Sequence, residues 1–203
     1  MEFILLSSVI FLFAVVVHEY SHGLMAYWLG DRTAKYAGRL TLNPLAHIDP
    51  FGTILLPAVL IITRSPVIFG WAKPVPISYW GLKHPKRDII LVGLAGPLAN
   101  IVAAFILSLI LKMPFVLPLF ISALIIQAII NNVVLAVFNL IPIPPLDGSR
   151  VLFGLLPAAL AKEYMKFERY GFVILFILLY LRIVDRILWP IVTMILAIFR
   201  VGI

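Results

Sequence analysis

The chain lacks cysteine altogether and carries few charged side chains. Of its 203 residues, 12% are charged and 63% are hydrophobic, whereas a typical soluble domain is about a quarter charged and about half apolar. The absence of cysteine excludes disulfide bridges and thiolate metal ligands, so any metal ion must be held by His, Asp or Glu. The shortage of charge excludes an ordinary soluble domain, and we expect an integral membrane protein surrounded by the lipid bilayer.

The charge that is present is mainly basic, with a formal net charge of +7. Lysine and arginine are scattered through short connections rather than gathered on one soluble face, so we expect no nucleic-acid partner. Their distribution is better explained by the positive-inside rule, which orients a membrane protein. Little of the chain lies outside the apolar segments, and residues 1–203 are predicted to form a single membrane-embedded domain.

Three long apolar stretches predict membrane-spanning helices, at residues 3–29, 88–111 and 114–141. The first would be about 40 Å long at 1.5 Å per residue. It has no basic segment before it, so we expect it to be retained rather than removed as a signal peptide. Basic residues follow it, which predicts that residues 30–50 are cytoplasmic and the N-terminus is external. The predicted fold class is an all-α, polytopic helical bundle.

Two further apolar stretches are harder to assign. Residues 51–72 are interrupted by Pro57, and the apolar part is short for a crossing. Because both flanks are basic, we expect this stretch to form a re-entrant hairpin or short strands buried against protein. Residues 170–199 are apolar but contain charged residues near their middle, which predicts either one long crossing or a broken pair of helices.

The first apolar run contains an H-E-x-x-H motif, which extends from His18 through Glu19 to His22. Two histidines four residues apart lie on one face of a helix, so both imidazoles can reach one metal ion while Glu19 acts on a nearby water. Ionisable side chains are costly to place in lipid, and they usually face a bundle interior or a water-filled cavity and mark function. The motif therefore predicts a zinc hydrolase site, about 22 to 28 Å along the first helix.

A catalytic zinc ion usually has three protein ligands and one open position, so a third ligand must come from elsewhere in the chain. Asp147 is the strongest candidate. Three prolines before it break the helix, and the predicted topology puts it on the same side of the membrane as the two histidines. The other candidates are His47, Asp49, His84, Asp88 and Asp185, together with the remaining acidic residues.

Three segments of the sequence resemble the site-2 protease family of intramembrane zinc metalloproteases. They are HEYSHG from residue 18, AGPLAN at residues 95–100 and NLIPIPPLDG at residues 139–148. The resemblance implies that His18, His22 and Asp147 bind one zinc ion per chain. It also implies that Glu19 is the catalytic base and acid, and that Asn139 lies in the active site near the scissile peptide. A core of three helices would carry the site, with edge-strand pairing as a way to hold an extended substrate.

The activity implied by this resemblance is cleavage of the membrane-spanning segments of other proteins. The predicted topology places the site near the cytosolic side. The chain is similar to the minimal, single-domain branch of the family, without a PDZ or CBS module, and we expect a multi-pass protein of a prokaryotic cell membrane. Two other functions remain open, a metal-ion transporter that uses the His and Asp site and an inactive membrane-binding protein. The first would not need the carboxylate of Glu19, and the second would not need an intact site.

Overall fold

The computed structural model describes residues 2–65, 70–114 and 117–201. Residues 66–69, inside the predicted hairpin, and residues 115–116, at the start of the predicted third span, lie outside the described residues. The helices are α1 (Glu2–Trp28), α2 (Thr33–Tyr36), α3 (Leu56–Ile62), α4 (Pro85–Leu111), α5 (Leu119–Asn139), α6 (Asp147–Leu155), α7 (Ala158–Met165), α8 (Gly171–Tyr180) and α9 (Ile183–Ile198). The described part of the chain contains no β-strand, which confirms the all-α fold class.

The three predicted spans are confirmed as long apolar helices. Within the described residues, three helices are long and apolar enough to cross a membrane, and these are residues 6–28 of α1 together with α4 and α5. Helix α4 begins at Pro85, slightly earlier than the sequence predicted, because proline suits the first turn of a helix, where no backbone donor is needed. It continues through Pro97 to Leu111. The chain is therefore a multi-pass membrane protein.

Helices α1, α4 and α5 pack against one another, α6 packs on α4, and α9 packs on α5. The largest buried apolar cluster is supplied by α4, α5 and α9 and includes Ala104, Ile129, Val133, Val192 and Leu196. Large apolar side chains on the outer faces remain exposed, among them Phe13, Val102 and Phe120. An apolar outer surface on helices with satisfied backbones is what a lipid environment requires.

The stretch that follows α1 forms a short helical excursion. A π-helical turn at Pro50–Leu55 leads into α3, and this segment is too short to span a membrane. The chain is back beside its starting point at Trp71, whose backbone N–H donates to the carbonyl of Gly52 over 3.1 Å. Entry and exit thus lie together, as a re-entrant hairpin requires. The alternative of short strands is not found in the described residues of this stretch.

The C-terminal apolar stretch is a broken pair of helices. Helices α8 and α9 are separated at Arg182, which adopts a left-handed backbone conformation with φ of 54°. Such a conformation cannot continue a right-handed helix. The described residues therefore support the second of the two interpretations of residues 170–199.

Candidate metal centre and active site

His18 and His22 form the helical half of the site. They lie one turn apart on α1, both are buried, and their Nε2 atoms are 3.0 Å from each other. This closeness follows from the helix itself, because side chains four residues apart project from the same face.

Asp147 forms the other half, and an irregular segment presents it. Helix α5 ends at Asn139, and residues 140–146 carry three prolines, which cannot donate the bonds that would extend the helix. Asp147 then begins α6 and is buried. Gly148 lets this segment fold closely on itself, since a Cβ there would lie 2.2 Å from the carbonyl oxygen of Leu140. The Oδ2 atom of Asp147 consequently reaches 2.9 Å from Nε2 of His18 and 3.0 Å from Nε2 of His22.

The three donor atoms fit a small divalent cation. A tetrahedral zinc ion with ligand distances of about 2.0 to 2.2 Å has its ligand atoms about 3.3 Å apart, so the observed triangle would need to widen by only a few tenths of an ångström. The set of two imidazoles and one carboxylate is also one that zinc uses in hydrolases. Among the described residues, His18, His22 and Asp147 form the one group of three or more such side chains that could hold a metal ion.

The other ring nitrogen of each histidine faces an oxygen atom of α4. Nδ1 of His18 lies 2.6 Å from Oδ1 of Asn100, and Nδ1 of His22 lies 2.6 Å from the backbone carbonyl oxygen of Val92. A carbonyl oxygen can only accept, so each Nδ1 carries the hydrogen and each Nε2 keeps a free lone pair. This is the tautomer that binds a metal through Nε2.

The orientation of the Asn100 amide is fixed by a buried network. Its Nδ2 donates to the carbonyl oxygen of Ala14 over 3.0 Å and to Oδ1 of Asn132 over 2.7 Å. With both hydrogens of the amide used in this way, Oδ1 must face His18. Asn100 thereby ties α1, α4 and α5 together at the level of the metal donors. In the sequence, this residue stands out only as the last position of the AGPLAN segment, with no role indicated.

Gly96 of α4 lies directly against the two imidazoles. A Cβ at this position would be 2.4 Å from Nε2 of His22 and 2.8 Å from Nε2 of His18. No side chain fits there without moving the metal donors. In the sequence, Gly96 stands out only as part of the AGPLAN segment, and the structure shows that its smallness leaves room for the site.

Glu19 and Asn139 have their own hydrogen-bond partners. Oε2 of Glu19 accepts a hydrogen bond of 2.8 Å from the backbone N–H of Val75. The side-chain amide of Asn139 donates to the carbonyl oxygen of Leu135, one turn earlier on α5, over 2.9 Å. Neither side chain belongs to the donor triangle.

The Asp147 carboxylate is held in its charged form. Burial raises the pKa of this carboxyl, whereas His22 and His18 beside it, in their protonated forms, lower the pKa well below its usual range. Its second oxygen, Oδ1, lies 3.6 Å from a guanidinium nitrogen of Arg150, which is partly exposed. A negative charge is thus available to a cation at neutral pH.

The other predicted candidates for a third ligand lie outside the donor triangle, and most of them make local hydrogen bonds. Nε2 of His47 lies 2.9 Å from the carbonyl oxygen of Thr41, and Asp49 caps the turn after it by accepting from two backbone N–H groups. This agrees with a cluster of polar residues that stabilises turns. Asp88 accepts from the backbone N–H of His84 at the start of α4. Asp185 is exposed on α9.

Comparison with known proteins identifies the family. The family model described as peptidase family M50 matches residues 115–181. The chain is also 37% identical to "Putative zinc metalloprotease YwhC" of Bacillus subtilis over 182 aligned residues. The alignment covers 86% of this chain and 80% of that protein. The chain belongs to peptidase family M50, the site-2 proteases. The match includes α5 and the segment that carries Asp147, so the family assignment does not rest on the H-E-x-x-H motif alone.

Two further relatives are both named Rip2. "Putative zinc metalloprotease Rip2" of Mycolicibacterium smegmatis is 33% identical over 171 residues, which is 83% of this chain and 64% of that protein. The Rip2 protein of Mycobacterium tuberculosis (strain H37Rv) is 30% identical over 143 residues, 70% of this chain and 53% of that protein. No solved structure matches the chain significantly. As a member of this family, the chain is an intramembrane zinc metalloprotease that acts on membrane proteins.

Proposed function

We propose that His18, His22 and Asp147 are the zinc ligands of this protease. The support is the donor triangle itself, in which three buried atoms from α1 and α6 come within 3.0 Å of one another. We further propose that Glu19 is the catalytic base and acid, and that Asn139 assists at the scissile carbonyl. Residues 1–203 then form one membrane-embedded peptidase domain.

Zinc at such a site supplies a Lewis acid, which polarises the scissile carbonyl and makes water easier to deprotonate. Glu19 takes a proton from the attacking water and passes it to the leaving amine. The water oxygen bonds to the carbonyl carbon, the carbon–nitrogen bond breaks, and the products are a carboxylate and an amine. His18 and His22 are kept in one orientation throughout by their contacts with α4.

Asn139 can donate to the oxygen on which negative charge develops. A side-chain amide has two N–H hydrogens, and the bond to Leu135 uses one of them. The second hydrogen is available to a substrate carbonyl. A donor of this kind typically contributes a factor of about 10² to 10³ to the rate.

The substrate class is the membrane-spanning helix of another protein. In an intact helix each carbonyl accepts a hydrogen bond from the backbone four residues later, so the substrate must unwind locally before water can attack. Helix-weakening residues such as Gly or Asn near the cleavage site favour that step. Replacing them by Leu should slow cleavage.

The site is proposed to lie near the cytosolic side of a prokaryotic cell membrane. The connection from α4 to α5, at the end opposite the site, contains one basic residue, Lys112, in its seven positions, whereas residues 30–50 and 63–87 carry eight lysines and arginines between them. The positive-inside rule assigns the basic end to the cytosol. The relatives named above are bacterial proteins, which supports the assignment to a prokaryotic membrane.

Activity is tested by incubating purified protein with a panel of single-span membrane proteins. The wild type should cleave at least one of them, and Glu19→Gln should lower the rate by on the order of 10³-fold while leaving zinc bound. The glutamine amide is similar in size to the carboxylate but cannot accept the proton. Undiminished cleavage by Glu19→Gln, or cleavage that survives removal of zinc by a chelator, would contradict the mechanism.

Orientation is tested by labelling single cysteines from one side of the membrane. The natural chain has no cysteine, so each introduced thiol is the sole target. Thr33→Cys and Ser78→Cys should label from the cytosolic side, and Lys112→Cys, in the connection from α4 to α5, should label from the opposite side. Labelling of Thr33→Cys and Ser78→Cys from different sides would mean that residues 51–72 cross the membrane.

A further inference from the structure

The segment from Lys73 to Ile77, which we term the strap, has no regular secondary structure and few backbone donors. Pro74 and Pro76 flank Val75 and have no N–H group. Val75 therefore carries the sole backbone donor between Lys73 and Ile77. That donor is directed at Oε2 of Glu19, at a distance of 2.8 Å.

The composition of the strap also makes it stiff. Each proline ring fixes its own φ angle, and each residue before a proline is restricted to extended conformations. Lys73 and Val75 both precede prolines, so four consecutive residues have little backbone freedom. A donor on such a segment keeps a defined position.

The backbone of Lys73 and Pro74 is held in place by hydrogen bonds to other parts of the chain. The backbone N–H of Lys73 donates to the carbonyl oxygen of His47 over 2.9 Å. The guanidinium of Arg39 donates to the carbonyl oxygens of Lys73, at 2.6 Å, and Pro74, at 3.3 Å, and its other terminal nitrogen donates to that of Ala46. The strap is thus fastened to the connection between α1 and α3.

The side chain of Val75 is the third anchor. It is 4% exposed, and it packs against Gly23, one turn beyond Glu19 on α1. The peptide group of Val75 is therefore held against the same helix that carries the H-E-x-x-H motif. The strap and Glu19 cannot shift independently without losing this contact.

We propose that the strap positions the Glu19 side chain, and that it does so through the hydrogen bond that the backbone N–H of Val75 donates to Oε2. The proposal rests on the proposed role of Glu19 as catalytic base. A glutamate side chain has several rotatable bonds and many accessible rotamers. Fixing Oε2 with one hydrogen bond selects among them and leaves Oε1, which has no protein donor among the described residues, to receive the proton from water.

The first test removes the donor while preserving an extended backbone. Val75→Pro gives three consecutive prolines and deletes the N–H. Ala72→Pro is the matched control for the added proline, and Val75→Ala, which keeps the N–H, is the control for the lost packing on Gly23. The N–H of Ala72 has no partner in the described part of the chain. With the single-span substrate that the wild type cleaves fastest, Val75→Pro should lower kcat between about 10- and 100-fold, as for a misplaced catalytic group. KM and the zinc content should stay near the wild-type values.

Three results would overturn the proposal. One is a kcat of Val75→Pro equal to that of the wild type. Another is an equal loss of kcat in Val75→Pro and Ala72→Pro, because a merely structural role of this region predicts sensitivity to proline at either position. The third is loss of zinc from Val75→Pro alone, since the hydrogen bonds of His18, His22 and Asp147 do not involve the strap.

The second test needs no substrate, so its failure is separable from failure of the proposed function. Hydrogen exchange of the strap reports three backbone amides, those of Lys73, Val75 and Ile77. Glu19→Ala removes the acceptor of the Val75 N–H and should speed the exchange of one of these amides, with Glu163→Ala, at an exposed position on α7, as the control. Unchanged exchange of the strap in Glu19→Ala would show that the hydrogen bond does not hold it.

Discussion

The two halves of the candidate metal site are built by different means. His18 and His22 lie on a regular helix, where periodicity alone brings them together, and α4 supplies the surface that fixes their rings. Asp147 lies after an irregular segment whose shape depends on three prolines and on Gly148. The arrangement of His18 and His22 should therefore survive changes in the loops that flank α1, but not changes in the surface of α4 that contacts their rings. The loop half depends on the backbone conformation of residues 140–148.

The largest effect should follow from removing one ligand from each half. His22→Ala and Asp147→Ala should each lose bound zinc, with a drop in affinity greater than the roughly 100-fold that substitutions around metal ligands cause. Elemental analysis of purified protein measures the zinc content. His47→Ala serves as the control, because His47 contacts a turn and not the donor triangle. Normal zinc in Asp147→Ala together with loss in His47→Ala would show that the third ligand is wrong.

A smaller effect should follow from steric intrusion that leaves every ligand in place. Gly96→Ala adds a methyl group 2.4 Å from Nε2 of His22, and Gly148→Ala adds one 2.2 Å from the carbonyl oxygen of Leu140. Overpacking of this kind costs about 1 to 3 kcal/mol, which corresponds to roughly 5- to 150-fold in zinc affinity.

Gly96→Ala and Gly148→Ala should differ in their effect on the unfolding temperature. Gly148→Ala clashes with backbone, so it should also lower the unfolding temperature, whereas Gly96→Ala meets the histidine rings and should act mainly on zinc. Leu98→Ala, on the outer face of α4 and 56% exposed, is the control. Zinc affinity in Gly96→Ala equal to that of the control would contradict the close approach of α4.

Loss of the Asn100 amide should weaken the helical half by an intermediate amount. Asn100→Ala removes the acceptor for Nδ1 of His18, and groups in this position are typically worth about 10- to 100-fold in metal affinity. Asn132→Ala should have a smaller effect, because Asn132 acts only by orienting Asn100. Competition for zinc with a chelator measures both. An Asn132→Ala effect larger than that of Asn100→Ala would contradict this order.

The smallest effect is expected in the loop half, at Arg150. Its guanidinium lies 3.6 Å from Oδ1 of Asp147 and is 37% exposed. Partly exposed ion pairs contribute about 0 to 1 kcal/mol, so Arg150→Gln should change zinc affinity by less than about fivefold. A change as large as that of Asn100→Ala would show that Arg150 holds the carboxylate more firmly than its exposure indicates.

The sequence predicted those parts of the site that depend on local rules. The spacing of His18 and His22 on a helix is local, and so is the helix break before Asp147. The three spans follow from hydrophobicity and length. These features need no knowledge of which helices touch.

The features that the sequence analysis missed depend on the register between helices. Asn100 and Gly96 act because α4 meets α1 at one height, and the strap acts because Val75 reaches Glu19 from 56 residues away. Periodicity within one helix does not fix that height. One signal was available, since Gly93, Gly96 and Asn100 share a face of α4, and a polar residue aligned with glycines in a membrane helix often marks a packed interface.

The order of the segments along the chain determines when the candidate site is completed during synthesis. Asp147 follows His18 by 129 residues. Ribosomes add about 5 to 20 residues per second, N-terminus first, so α1 is made on the order of ten seconds before the third proposed ligand. During that interval the nascent chain carries a histidine pair and a glutamate but no complete metal site. With the proposed ligand set, peptide-bond cleavage must wait until α5 and α6 have been synthesised and have joined α1.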